Sequence, residues 1–69
     1  MIAFRFNKTG KKAKASAIES LEQIKGIFRI VAGPKDGAAE LDIGANHKKI
    51  AKKINAVKNI KDVEIFDFS

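Results

Sequence analysis

Cysteine is missing from the chain altogether, as are tryptophan and tyrosine. The first absence removes disulfides, thiolate metal sites and cysteine nucleophiles together. Histidine occurs once, at His47, with no second imidazole to help it hold a metal. No His–carboxylate–nucleophile set stands out, and no pair of carboxylates sits in an apolar setting, so catalysis is not expected. No apolar run approaches the roughly 18 residues that cross a bilayer. The N-terminus lacks the apolar stretch and small-residue cleavage site of a signal peptide. These absences point to a cytoplasmic, soluble chain with no membrane insertion and no cofactor. Acid is also scarce, with eight Asp and Glu against fourteen Lys and Arg, a formal charge of +6. Such a field attracts acidic proteins, nucleic acid or anionic surfaces without selecting among them.

What is present reads as a folded chain. Sixty-nine residues allow a single domain, 1–69, whose core is thin because so short a chain buries only about 60% of its unfolded surface. "MIAFRF" alternates, with Ile2, Phe4 and Phe6 on one face and Ala3 and Arg5 on the other, as a half-buried strand does. From Lys11 to Lys25, Ala13, Ala17, Leu21 and Ile24 recur at helical spacing with Ile18 beside them, and Thr9 stands where a cap belongs. "IFRIVA" forms a second strand, "GPKDG" a tight reversal, and "AELDI" a third strand with Ala39, Leu41 and Ile43 alternating against Glu40 and Asp42. Asn46 caps a second helix striped by Ile50, Ile54 and Val57, and "DVEIFDF" closes the chain as a fourth strand.

An internal echo organises these pieces. "LEQIKGI" (21–27) and "INAVKNI" (54–60) share one pattern, ending in Lys, then Gly or Asn, then Ile. Gly26 and Asn59 are the residue types that best tolerate the left-handed conformation past a helix end. The following isoleucines then pack back, Ile27 towards Leu21 and Ile60 towards Ile54. Two βαβ halves ending their helices by one device, each crossing over right-handed, interleave into a four-stranded antiparallel sheet. The expected fold is α+β, a ferredoxin-like βαββαβ sandwich of strand order 4-1-3-2 with both helices on one face. The other face is left open. Its expected core comprises Ile2, Phe4, Phe6, Ala17, Leu21, Ile24, Ile30, Leu41, Ile43, Ile50, Ile54 and Val57.

With this register the chain resembles the heavy-metal-associated domain of copper chaperones and metal-pumping ATPases. Leu21, Ile24, Gly26 and Ile27 fit that family's first-helix ending, and the likeness runs nearly end to end in topology and apolar spacing. Counting back, the family's metal loop falls on Lys8, Thr9, Gly10, Lys11, Lys12 and Ala13. The threonine is kept, while the two metal-ligating cysteines become Gly10 and Ala13. Copper(I) and zinc in such a loop need soft thiolates, so no metal site is expected. The resemblance implies a module that keeps the family's habit of docking onto a similar domain and loses the cargo.

Three functional readings follow. A protein-binding module, docking a partner or associating with itself, is preferred. Its candidate surface comes from the parity of "DVEIFDFS": if Val63 and Ile65 correspond to Ile30 and Ala32 and point inward, Phe66 and Phe68 face outward beside Arg5. A bulge or a frayed end would turn one ring inward instead. Exposed aromatics on an edge strand make a patch of interface type. The second reading is an anion site, with Lys8, Lys11, Lys12 and Lys14 around Thr9–Gly10; the same lysines also read as plain solvated charge. The third is nucleic acid. RNA-recognition motifs share the topology but stack bases on outward aromatics of the central strands. Here Phe4 and Phe6 belong to the core face, and Glu40 and Asp42 face outward to repel phosphate.

Overall fold

The computed structural model describes residues 1–66, and its element order is β1 (Ile2–Phe6), α1 (Lys11–Glu22), β2 (Ile27–Ala32), β3 (Asp36–Leu41), α2 (His47–Asn55) and β4 (Ile60–Ile65). One antiparallel sheet runs β2-β3-β1-β4, the expected order written from its other edge. The fold is α+β and ferredoxin-like. Alternation in β1 drives it: Ile2, Phe4 and Phe6 are buried while Arg5 between them is exposed. Phe4 and Phe6 meet edge to face, ring centroids 5.5 Å apart.

The core is Ile2, Phe4, Phe6, Ala17, Leu21, Ala39, Ile50, Ile54 and Ile60, with Ile24, Ile30, Leu41 and Val57 partly buried against it. One expected member is wrong. Ile43 is fully exposed, because the hairpin is tighter than "GPKDG" suggests and β3 runs earlier, from Asp36 to Leu41. The Gly33 N–H donates to the Asp36 carbonyl at 2.7 Å, leaving only Pro34 and Lys35 at the tip. The chain then leaves the sheet after Leu41: the Asp42 N–H donates to Gly26, Ala45 closes a turn onto Asp42, and Gly44 takes a φ of 83°. Alternation in "AELDI" thus outlasts the strand that would use it.

The internal echo is built in hydrogen bonds. After each helix the N–H groups of Ile24 and Val57 donate to Leu21 and Ile54, at 3.1 and 3.0 Å. Those of Ile27 and Ile60 donate to Ile24 and Val57, at 3.4 and 3.3 Å. Gly26 (φ 102°) and Asn59 (φ 76°) are both left-handed, as expected. They do not sit immediately after the helices, however. An added tight turn lies between, so α1 ends at Glu22 and not at Lys25. Asn46 caps α2 as expected, its side chain accepting from Lys49 N–H at 3.0 Å. Thr9 does not cap α1: Gly10 holds that position with no side-chain bond.

That shift has a physical cause in Asn59. Its amide accepts from the Lys8 N–H and donates to the Lys8 carbonyl at 2.9 Å, while its own carbonyl accepts from Asn7 N–H at 2.9 Å. The loop after β1 is thereby tied to the end of the second helical half before the helix can start. Glycine would supply the left-handed backbone at 59 and keep the carbonyl's bond from Asn7, but it would lose both side-chain bonds to Lys8.

Candidate partner-binding surface

Both helices cover one face of the sheet, and strand pairing fixes what the other face carries. Ala3 lies opposite Ala38 and Glu64, and Arg5 opposite Asp36 and Lys61. Arg29 pairs with Glu40, its guanidinium 2.9 Å from the carboxylate. This is the only ion pair among the described residues. Small Ala3 and Ala38 therefore floor the middle of a face whose rim mixes Arg5, Arg29 and Lys61 with Asp36, Glu40 and Glu64. The carboxylates confirm the expectation for Glu40, but Asp42 lies past the end of β3.

A shallow concavity of about 540 Å³ opens here, bordered by Ala3, Arg5, Asp36, Asp62, Glu64 and Phe66. Phe66 remains 40% exposed. Its backbone extends the β1–β4 ladder by one step, its N–H donating to Met1 at 2.8 Å and its carbonyl accepting from the Met1 ammonium at 3.1 Å. Arg5 and Phe66 are thus brought to one concavity, though not side by side, since the register partner of Arg5 is Lys61. Phe68 lies outside the described residues. The inward parity of β4 is as expected for Val63, which packs on the core, whereas Ile65, opposite Ile2, is left partly exposed near the end of the strand.

The bulge foreseen as an alternative is present, but upstream of the phenylalanines. The register with β1 slips between Ala3 and Arg5, and Asp62 adopts a φ of 51°. An extra residue in an edge strand twists it and interrupts pairing. With Lys61, Asp62 and Glu64 exposed around the bulge, β4 carries the features by which edges resist another strand.

The lysine loop divides into separate roles. Lys8 and Ala13 border a groove with Ser16, Ser20, Lys58 and Asn59. Lys11, Lys12 and Gly10 are exposed, and a Cβ added at Gly10 would meet no atom within 4 Å. Lys14 turns away to work structurally: its ammonium donates to the Gly33 carbonyl at 2.8 Å and sits 5.5 Å from the centre of the Phe6 ring. It pins α1 over the β2–β3 turn. Thr9 joins a different set, a recess of about 260 Å³ shared with Arg5, Lys35, Asp36 and Lys61. These three cations come from β1, the hairpin tip and β4, so distance in sequence hid them. His47 opens α2, half-buried. Among the described residues no cluster of three or more His, Cys, Asp or Glu could hold a metal ion, and no helix is long and apolar enough to cross a membrane.

Compared with known proteins, the chain matches no family model, no curated protein sequence and no solved structure.

Proposed function

We propose that the protein is a small non-catalytic binding module that docks a protein partner on the open face of its sheet, in the manner of a heavy-metal-associated domain that has lost its metal ligands. One observation carries this reading: an uncovered face with an alanine floor, a half-exposed Phe66 and a rim of charges of both signs. Protein partners suit such a face, since interface centres use aromatic anchors and their rims are polar. The resemblance in topology and apolar spacing adds to it, and Gly10 and Ala13 at the family's cysteine positions leave no ligand for copper or zinc.

Peptides selected from a displayed random library against the intact chain test the docking face. Bound peptides are expected to shift the amide resonances of Ala3, Arg5, Glu64 and Phe66. Phe66→Ser with Arg5→Ala is expected to weaken that binding at least about tenfold and to leave the circular dichroism spectrum unchanged. Peptides that move only residues outside this face would count against the proposal, as would unfolding of the double variant.

A second reading has its own observation. An anion would be held best in the Thr9 recess, where Arg5, Lys35 and Lys61 meet one carboxylate, Asp36. Titration with inorganic phosphate is expected to shift the amides of Arg5, Thr9, Lys35 and Lys61 together, and a still recess would dismiss this reading. Nucleic acid fits less well, because Asp36, Glu40 and Glu64 occupy the face on which bases would stack.

A further inference from the structure

The two edges of the sheet are not alike. β4 is bent by the Asp62 bulge and lined with Lys61, Asp62 and Glu64. β2 reads "IFRIVA", six residues without Gly or Pro and with one charge. That charge is already engaged within the sheet, since the Arg29 guanidinium meets Glu40 at 2.9 Å. Phe28 is 71% and Val31 51% exposed. The register slip on β2 falls at its first residues, leaving Arg29–Ala32 in regular pairing with β3. Over this regular stretch an apolar, unguarded edge with alternate N–H and C=O groups turned outward is a template for another strand. A six-residue segment of this composition left uncovered is also an aggregation hazard.

From this contrast we propose that a second copy of the chain covers β2, the two β2 strands pairing antiparallel about a two-fold axis normal to the sheet to give one eight-stranded sheet. Such an axis keeps every side chain on its own face, so opposed residues must share parity. Centring on Ile30 places Ile30 against Ile30, Arg29 against Val31 and Phe28 against Ala32. It is the register that pairs residues 28 to 32 inside the strand and sets no like charges opposite. Centring on Arg29 would oppose two guanidiniums, and centring on Val31 would push the pairing into Gly33 and Pro34.

Charge complementarity supports the same occupant. α1 is the helix that packs on β2, and the two-fold axis runs the two α1 helices antiparallel. The end bearing Lys11 and Lys12 in one copy then lies on the same side as the end bearing Glu19 and Glu22 in the other. α2, whose exposed charges are all lysines, packs on β4 away from the junction. This surface is separate from the open-face concavity, so either assignment can fail alone.

Sedimentation equilibrium between about 10 µM and 1 mM decides the matter, with folding checked by circular dichroism. The wild-type chain is expected to show a monomer–dimer equilibrium in this range. Val31→Lys, which places a lysine opposite Arg29 of the second copy twice over, is expected to weaken the dimer about tenfold or more. Val31→Glu, equally polar but opposite in sign, is expected to keep it. A chain monomeric throughout, equal loss in both Val31 variants, or a dimer lost with Phe66→Ser and indifferent to Val31→Lys would each overturn the proposal.

Discussion

Leu21→Ala is expected to destabilise the protein by roughly 2–5 kcal/mol, because deleting a buried branched side chain removes its transfer energy and leaves a cavity. Leu21 is 0% exposed and belongs to the core between α1 and the sheet. At about 0.05–0.15 kcal/mol per residue, a 69-residue chain holds only some 3–10 kcal/mol in all. One such substitution therefore takes a large share and unfolds much of the population. The Leu21 carbonyl also anchors the turn that follows α1, accepting from Ile24. Ile24, Gly26 and Ile27 are expected to loosen with the helix. Urea unfolding monitored at 222 nm checks the value, and a change below about 1 kcal/mol would show that the site collapses around the loss.

That expectation rests on a helical register the sequence itself carries, and the reason is the echo. Leu21 and Ile54 stand at the same step of two repeated turns, each fixed by a residue that tolerates positive φ, so pattern and stereochemistry agree. β1 was legible for a similar reason: three buried residues at period two leave no other face for Arg5. The misreadings occur where a long-range contact decides. Ile43 keeps the alternation of β3, but the bond from Asp42 to Gly26 has already drawn the chain off the sheet. Thr9 has the chemistry of a cap, but the Asn59 clamp holds the chain at Lys8 and the cap position falls on Gly10, with α1 starting at Lys11 as expected.

The candidate surface was legible only in part. Outward parity for Phe66 follows from alternation, and so does the separation of Phe4 and Phe6 from the open face. The bulge at Asp62 does not, since nothing local demands a left-handed aspartate there. It is this bulge that guards β4 and leaves β2 as the less protected edge. Likewise the lysines beside Thr9 in sequence are not the cations beside it in space. Arg5, Lys35 and Lys61 reach that recess from three strands or turns, and only sheet order brings them together.

Gly37→Ala is the second large effect expected, and it probes how β1 sits on β3. Gly37 pairs with Phe4 across the sheet, and the aromatic ring lies over the glycine. A Cβ there would stand 2.9 Å from Phe4 Cζ, 3.0 Å from Cε2 and 2.8 Å from the Val31 carbonyl oxygen. The ring is boxed in by the core and the oxygen belongs to β2 backbone, so neither contact can give without moving a strand. Overpacking of this kind typically destabilises by about 1–3 kcal/mol. Two separate clashes make the upper part of that range the expected result in chemical denaturation. Phe4→Leu removes the ring contact and leaves the backbone one, so adding it to Gly37→Ala is expected to recover part of the loss. The double variant should be more stable than the sum of the single changes, with a coupling of at least about 0.5 kcal/mol, as residues in contact show. Strict additivity would place the strain wholly against the Val31 carbonyl, and a neutral Gly37→Ala would mean that neither the Phe4 ring nor the Val31 carbonyl confines this position.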